Sequence, residues 1–142
     1  MAYTSQQALI DKLGEQTLIQ LTDRASPPTG EIDAAVVARA LSDTDAVINS
    51  YAGVRYRLPL DPVPDLVTDL ALAIAAYKLH VFAPDHKIKD DYDQALATLR
   101  GIAGGVPKLD AAGVETPTSG AEGVQFIDRE RPLSPETMHG FI

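Results

Sequence analysis

One stretch, Asp65 to Ala83, limits the possible folds more than any other part of the chain. Leu66, Val67, Leu70, Ala71, Ile74, Tyr77, Leu79 and Val81 recur at helical spacing, and alanines fill most of the gaps between them. The interruptions are Asp65, Thr68, Asp69, Lys78 and His80. A helix that is apolar on nearly every side has no wet face and must be buried. It is almost long enough to span a bilayer, but acids in its first turns and Lys78 near its end oppose insertion. Its alanines let neighbouring helices come close. The spacing predicts an all-α fold, a small helical bundle around this buried central helix, with an extended C-terminal arm.

The flanking segments supply the neighbours. Thr4 or Ser5 can N-cap a first helix carrying Ala8, Leu9 and Leu13, and Gly14 suits its C-terminal end. A short second helix runs from Glu15 to Leu21, with Leu18, Ile19 and Leu21 facing inward, before a loop over Asp23–Gly30. Asp33 caps a third helix from Ala34 to about Val54. Its apolar stripe is Val36, Val37, Ala40, Leu41, Val47, Ile48 and Tyr51, and Arg39 and Asp43 are spaced to pair on its wet face. Pro59, Pro62 and Pro64 then impose a stiff, extended connector, and Pro64 and Asp65 favour a helix start there. Pro84 breaks the central helix. Asp85 caps a last helix, His86 to Ala103, which buries Ile88, Tyr92, Ala95, Leu96 and Leu99 and keeps Lys87, Lys89, Asp90, Asp91 and Asp93 wet. The expectation is four main helices and no sheet of consequence.

At 142 residues the chain has room for one domain with a real core. It splits by character into a helical body, residues 1–105, and an arm, residues 106–142, where Pro107, Pro117, Pro132, Pro135 and several glycines rule out a long helix. A segment of that composition needs a surface to lie on, either the chain's own body or a neighbouring chain. Leu133, Met138 and Phe141 are its apolar anchors.

Composition excludes several functions. There is no cysteine, so disulfides, thiolate nucleophiles and cysteine-based zinc sites are out. The first residues, Met1 to Gln6, lack the basic-then-apolar order of a signal peptide. Net charge is −8, spread over the whole length, and the densest run of cations is Arg55-Tyr56-Arg57. Tight binding to nucleic acid needs several cations on one face, so it is not expected of a single copy.

Motifs for chemistry are sparse. His80 and His86 flank Pro84 with Asp85 between them, a set that would suit a divalent metal. The plainer reading is a histidine at the core edge and acids that cap and solvate the last helix. No serine has a nucleophile-elbow context, and no glycine run joins a strand to a helix as a phosphate loop does. Tyr51, Arg55, Tyr56 and Arg57 sit at a helix end beside the proline connector, and tyrosine and arginine are favoured in protein interfaces. Alternatively, the two tyrosines close the core and the arginines meet nearby acids.

Several runs resemble the head–tail connector (adaptor) proteins of Mu-like tailed bacteriophages and prophages. They are Met1-Ala2-Tyr3, Gln7 to Glu15, Leu18 to Arg24, Ala40 to Tyr51, Arg55 to Leu60, and the closing Leu133-Ser134-Pro135-Glu136-Thr137-Met138-His139-Gly140-Phe141. The resemblance covers nearly the whole chain. It implies a mostly helical virion protein, not an enzyme and without a cofactor, assembled in the host cytoplasm as a ring of about twelve copies. Such a ring would sit beneath the portal protein, extend the channel for double-stranded DNA without binding it specifically, and meet the next connector or a tail-completion protein. No membrane is implied. Tyr51, Arg55, Tyr56, Arg57, Leu133, Met138 and Phe141 would then be the candidate interface residues.

Overall fold

The computed structural model describes residues 2–109. They form five helices: α1 (Gln6–Leu13), α2 (Glu15–Thr22), α3 (Ala34–Ala52), α4 (Asp65–Leu79) and α5 (His86–Gly104). No strand occurs among the described residues, so the fold is all-α. Where four main helices were expected, three long ones carry the body and two eight-residue helices complete it. No described helix is long and apolar enough to cross a membrane.

α4 is the centre. Val67, Leu70, Ala71, Ala73, Ile74, Ala75, Ala76 and Leu79 are all buried along its 15 residues. Its N-terminal half packs with Ile48 and Ala52 of α3 and with Ala95, Leu99 and Ile102 of α5. Its C-terminal half packs with Leu9 of α1, Leu18 of α2, and Val37 and Ala40 of α3. The start of α3 therefore meets the end of α4, and the end of α5 meets its start. Both long neighbours run antiparallel to α4, and the α1–α2 pair closes the side near the α4 C-terminus.

Local chemistry explains where the elements begin and end. The Ser5 hydroxyl accepts the Ala8 amide at the head of α1, 3.2 Å. Gly14 turns the chain directly from α1 into α2 at φ 85, ψ 146, a conformation open to glycine and strained for any residue with a Cβ. Asp33 caps α3 through Oδ1, which accepts from the amides of Ala35 and Val36. Asp85 stands at the cap position of α5 without a side-chain cap bond. α5 ends in a Schellman arrangement: Gly105 takes φ 94, its amide bonds the Ile102 carbonyl, and the Val106 amide bonds Gly101.

The expected central helix, Asp65 to Ala83, ends four residues early, at Leu79. Pro84 has no amide proton, its ring crowds the carbonyl four residues back, and it pushes Ala83 out of helical conformation. His80 stops the helix instead. Its backbone amide bonds the Tyr77 carbonyl, and its ring Nδ1 donates to the Ala76 carbonyl at 2.7 Å. Val81, read from the spacing as a core residue, is consequently exposed.

Polar side chains fix the connections. The buried Thr22 hydroxyl donates to the Leu18 carbonyl and accepts the Asp33 amide, which ties the ends of the 23–32 loop together. Buried Thr44 donates to the Ala40 carbonyl. Tyr3 is buried against α3: its amide donates to Asp45 Oδ1, and its hydroxyl bonds Asn49 Oδ1. The first residues beyond 105 return to the body. Leu109 is buried in the core beside α4 and α5, and its amide donates to the Tyr56 hydroxyl at 3.0 Å. The remainder of the arm lies outside the described residues.

Asp33→Ala is expected to lower the unfolding free energy by about 1 kcal/mol, because two amides lose their acceptor, while Asp85→Ala changes it by only a few tenths, about 0.3 kcal/mol. Equal losses in urea titrations would contradict the capping geometry. Tyr56→Phe leaves the Leu109 amide without its partner and is expected to cost about 1–3 kcal/mol in the same measurement.

Candidate interaction surface

The residues singled out in the sequence fall into different environments. Tyr56 is 3% exposed and belongs to the core, as just described. Tyr51 is half-buried and packs on the same core. Arg55 lies against the helix end at Gly105, where an added Cβ would come within 2.9 Å of its guanidinium. Arg57 is exposed. Leu133, Met138 and Phe141 lie outside the described residues. The two tyrosines therefore act inward, and among the described members of this group Arg57 faces solvent.

His80, Asp85 and His86 do not gather into a metal-holding set, and no group of three or more histidine and acidic ligands does so among the described residues. His80 is occupied in capping α4, and the acids of α5 sit in surface pairs: Lys87 with Asp91 at 3.0 Å and Lys89 with Asp93 at 2.8 Å. Pairs this exposed contribute little to stability. Arg39 and Asp43, expected to pair, do not close into a salt bridge; they line a groove instead.

That groove, of about 390 Å³, lies between the start of α3 and the end of α4. Arg24, Arg39 and Lys78 line it with Asp43, over a floor of Ala35, Val36, Ala40 and Leu79. Arg24 also borders a second hollow of about 340 Å³, formed by Gln20, Leu21, Asp23, His80, Val81, Phe82 and Ala83. The Asp23 carboxylate there is engaged in its own loop. It accepts the Gly30 amide at 2.7 Å, and that bond holds its pKa below the usual carboxylate range. At this corner Phe82 is 87% exposed and Val81 62%. An exposed aromatic ring beside an arginine is a pairing favoured in protein interfaces. The sequence reading missed it because these residues continued the apolar pattern of α4. The signal was Pro84, which takes the last turn before it out of the helix.

The opposite end of the bundle is apolar as well. A cleft of about 460 Å³ is lined by Pro62, Val63, Pro64, Asp65, Leu66, Lys108 and Leu109. Val54, Leu58, Leu66 and Val106 are exposed there, at the end of α3, the start of α4 and the end of α5. Every exposed large hydrophobic residue among those described lies at or just beyond a helix end.

Phe82→Ser is expected to leave the unfolding free energy within about 0.5 kcal/mol of the parent, because the ring it removes is in water. A fall of several degrees in melting temperature would mean that the folded chain buries Phe82.

Comparison with known proteins places this body in context. A family model described as Bacteriophage Mu, Gp36 matches residues 3–127, which takes in all five helices. The chain is 27% identical over 140 residues to the Mu-like prophage FluMu protein gp36 of Haemophilus influenzae, covering 99% of this chain and 98% of that protein. It is 28% identical over 130 residues to Gene product J of Escherichia phage Mu, covering 89% and 90%. With most of its length inside the family model and both relatives matched nearly end to end, this chain belongs to the Bacteriophage Mu Gp36 family.

Proposed function

We propose that this chain is a virion structural protein, a head–tail connector or adaptor that forms a ring of about twelve copies beneath the portal and extends the DNA channel toward the tail. The observation that carries the reading is membership of a bacteriophage Mu family over residues 3–127, joined to the resemblance of its sequence runs to Mu-like connectors. Supporting it is a small body with exposed apolar residues at both ends, Val81 and Phe82 at one and Val54, Leu58, Leu66 and Val106 at the other. Surfaces of that kind are covered by partners in assemblies. In this reading the role is mechanical and not catalytic, and no cofactor takes part. Its partners are copies of itself, the portal protein, and the next connector or a tail-completion protein. It assembles in the host cytoplasm and resides in the virion, away from any membrane.

The charge of −8 fits a channel component. A basic wall would hold each phosphate of passing DNA and slow its transit. A neutral or acidic wall keeps the duplex mobile, and at physiological salt its field reaches about 8 Å. Under this proposal acids equal or outnumber lysines and arginines along the ring's inner surface. The deciding experiment is deletion of the gene from its prophage, followed by induction and electron microscopy. DNA-filled heads and finished tails that fail to join, rescued by the gene supplied in trans, are expected. Normal joined, infectious particles from the deletion strain would refute the connector role.

A further inference from the structure

Two hollows meet at Arg24, at the corner where α2 and α4 end and α3 begins. One is the groove, which carries Arg24, Arg39 and Lys78 against a single acid, Asp43. It is a cationic surface on a chain of net charge −8. None of the three cations makes a salt bridge among the described residues, so their charge is open to a partner. The other hollow is the one beside which Val81 and Phe82 stand in solvent. Its one acid, Asp23, is engaged by the Gly30 amide. A partner that answers both hollows brings carboxylates to the cations, which arginine can hold through two parallel hydrogen bonds, and apolar side chains to Val81 and Phe82. A DNA duplex answers the first demand with its phosphates but keeps its apolar base faces stacked inside.

The chain's own sequence holds a segment of that composition. Residues 110–128 carry four acids, Asp110, Glu115, Glu122 and Asp128, and no lysine or arginine. Within them, Glu122 and Asp128 bracket an apolar run that contains Val124, Phe126 and Ile127. Alternate residues of an extended chain point the same way, so that conformation would set Glu122, Val124, Phe126 and Asp128 on one face. Leu109, just before this segment, is held in the core at the end of the bundle where α4 starts. The two hollows lie at the other end, about 22 Å away along the 15 residues of α4 at 1.5 Å per residue. The segment therefore leaves the body at the end opposite the surface that suits it. The 13 positions from Leu109 to Glu122 can span roughly 43 Å at 3.3 Å per residue, enough to reach across to a neighbouring copy.

We propose that residues 122–128 of one copy lie across the Arg24 corner of the next. Glu122 and Asp128 meet the groove cations, and Val124 and Phe126 cover Val81 and Phe82. The contact is heterologous, with the corner on one copy and the arm on the other, so it can repeat around a ring. The proposal deepens the connector reading and rests on it in taking the chain to work in many copies. It gives Phe82 a cover in the assembly while leaving it in water in the free chain. Salt weakens the charged part of the contact and spares the apolar part.

The chain has no cysteine, so two introduced ones are its only thiols. In the full chain, Ala83→Cys puts one at the exposed rim of the hollow and Gln125→Cys puts the other in the arm. Air oxidation over a concentration series is expected to give disulfide-linked multimers on non-reducing gels, joined through positions 83 and 125 by peptide mass spectrometry. A control that pairs Gln125→Cys with Ala97→Cys, on the exposed side of α5, should give few. Adding Arg24→Glu and Arg39→Glu should cut the multimers at least about tenfold, and further adding Glu122→Lys and Asp128→Lys should restore them. Circular dichroism checks that every variant keeps the parent helicity. Linkage within one chain, seen as a closed monomer, overturns the proposal. So do multimers no more abundant than in the control, or multimers indifferent to charge reversal. Supplied to the prophage deletion strain, the chain with Arg24→Glu and Arg39→Glu alone is expected to leave heads and tails unjoined. If that chain joins them normally, this contact is refuted and the connector role stands without it.

Discussion

The structure depends on covering α4. Its buried face runs almost all the way round, so no single partner can shield it, and the remaining helices are arranged to close different sectors. α3 lies along its whole length, α5 covers it from the Asp65 end as far as Tyr77, whose ring stacks on Tyr92, and α1 with α2 covers the half nearer Leu79. The four buried alanines, Ala71, Ala73, Ala75 and Ala76, contribute little area themselves. Their value is to let larger side chains of the neighbours, Ile48, Leu99 and Leu9 among them, come within dispersion range of the α4 backbone. Fully burying Ile74 or Leu79 is worth roughly 1.5–3 kcal/mol each, comparable to the capping and turn interactions that place the helices around them. A core built this way has two layers along one axis, and the layers share α3 and α4.

Most of that plan can be read directly in the residues, because it rests on periodicity and punctuation. The helical spacing of Val37, Ala40 and Ile48 and of Ala95 and Leu99 identifies the faces of α3 and α5, and Ser5, Asp33 and Gly105 mark helix limits through local hydrogen bonding or backbone conformation. Non-local partners are invisible to that reading. Nothing near Tyr56 announces that its hydroxyl will accept the Leu109 amide 53 positions away. Nothing near Thr22 announces that it will receive the Asp33 amide across a loop. Leu109, read as part of an arm, closes the core because the Schellman turn at Gly105 sends the chain back against α4.

The interaction surface was legible in a different way. Arg57 could be read as an exposed interface candidate, and it is exposed. Tyr56, weighed equally as interface or core, turns inward, since the proline connector folds against the bundle and delivers Tyr56 and Leu60 into it. Val81 and Phe82 were hidden by the strength of the pattern preceding them. Two signals competed over residues 80–83: apolar continuity, which extends a helix, and Pro84, which forbids the last turn. The backbone constraint prevails because its cost, about 3 kcal/mol for a proline clash and lost bond, exceeds the gain from burying one more valine.

That competition links the fold to the surface. With eight of its side chains buried against its neighbours, α4 offers a partner little along its length, and its one exposed large hydrophobic residue, Leu66, stands at its start. The same holds for α3 and α5, whose apolar stripes are used internally against α4. Val54 and Leu58 follow one, and Val106 follows the other. Because α3 and α5 run antiparallel to α4, these exposed residues collect at the end where α4 begins, while Val81 and Phe82 are the exposed large hydrophobics, among the described residues, at the end where it stops. Among the described residues, the apolar surface left over by the packing of α4 lies at the ends of the bundle and not along its sides. Those ends differ in shape: one projects an aromatic ring beside Arg24, and the other is a cleft walled by Pro62, Pro64 and Leu66.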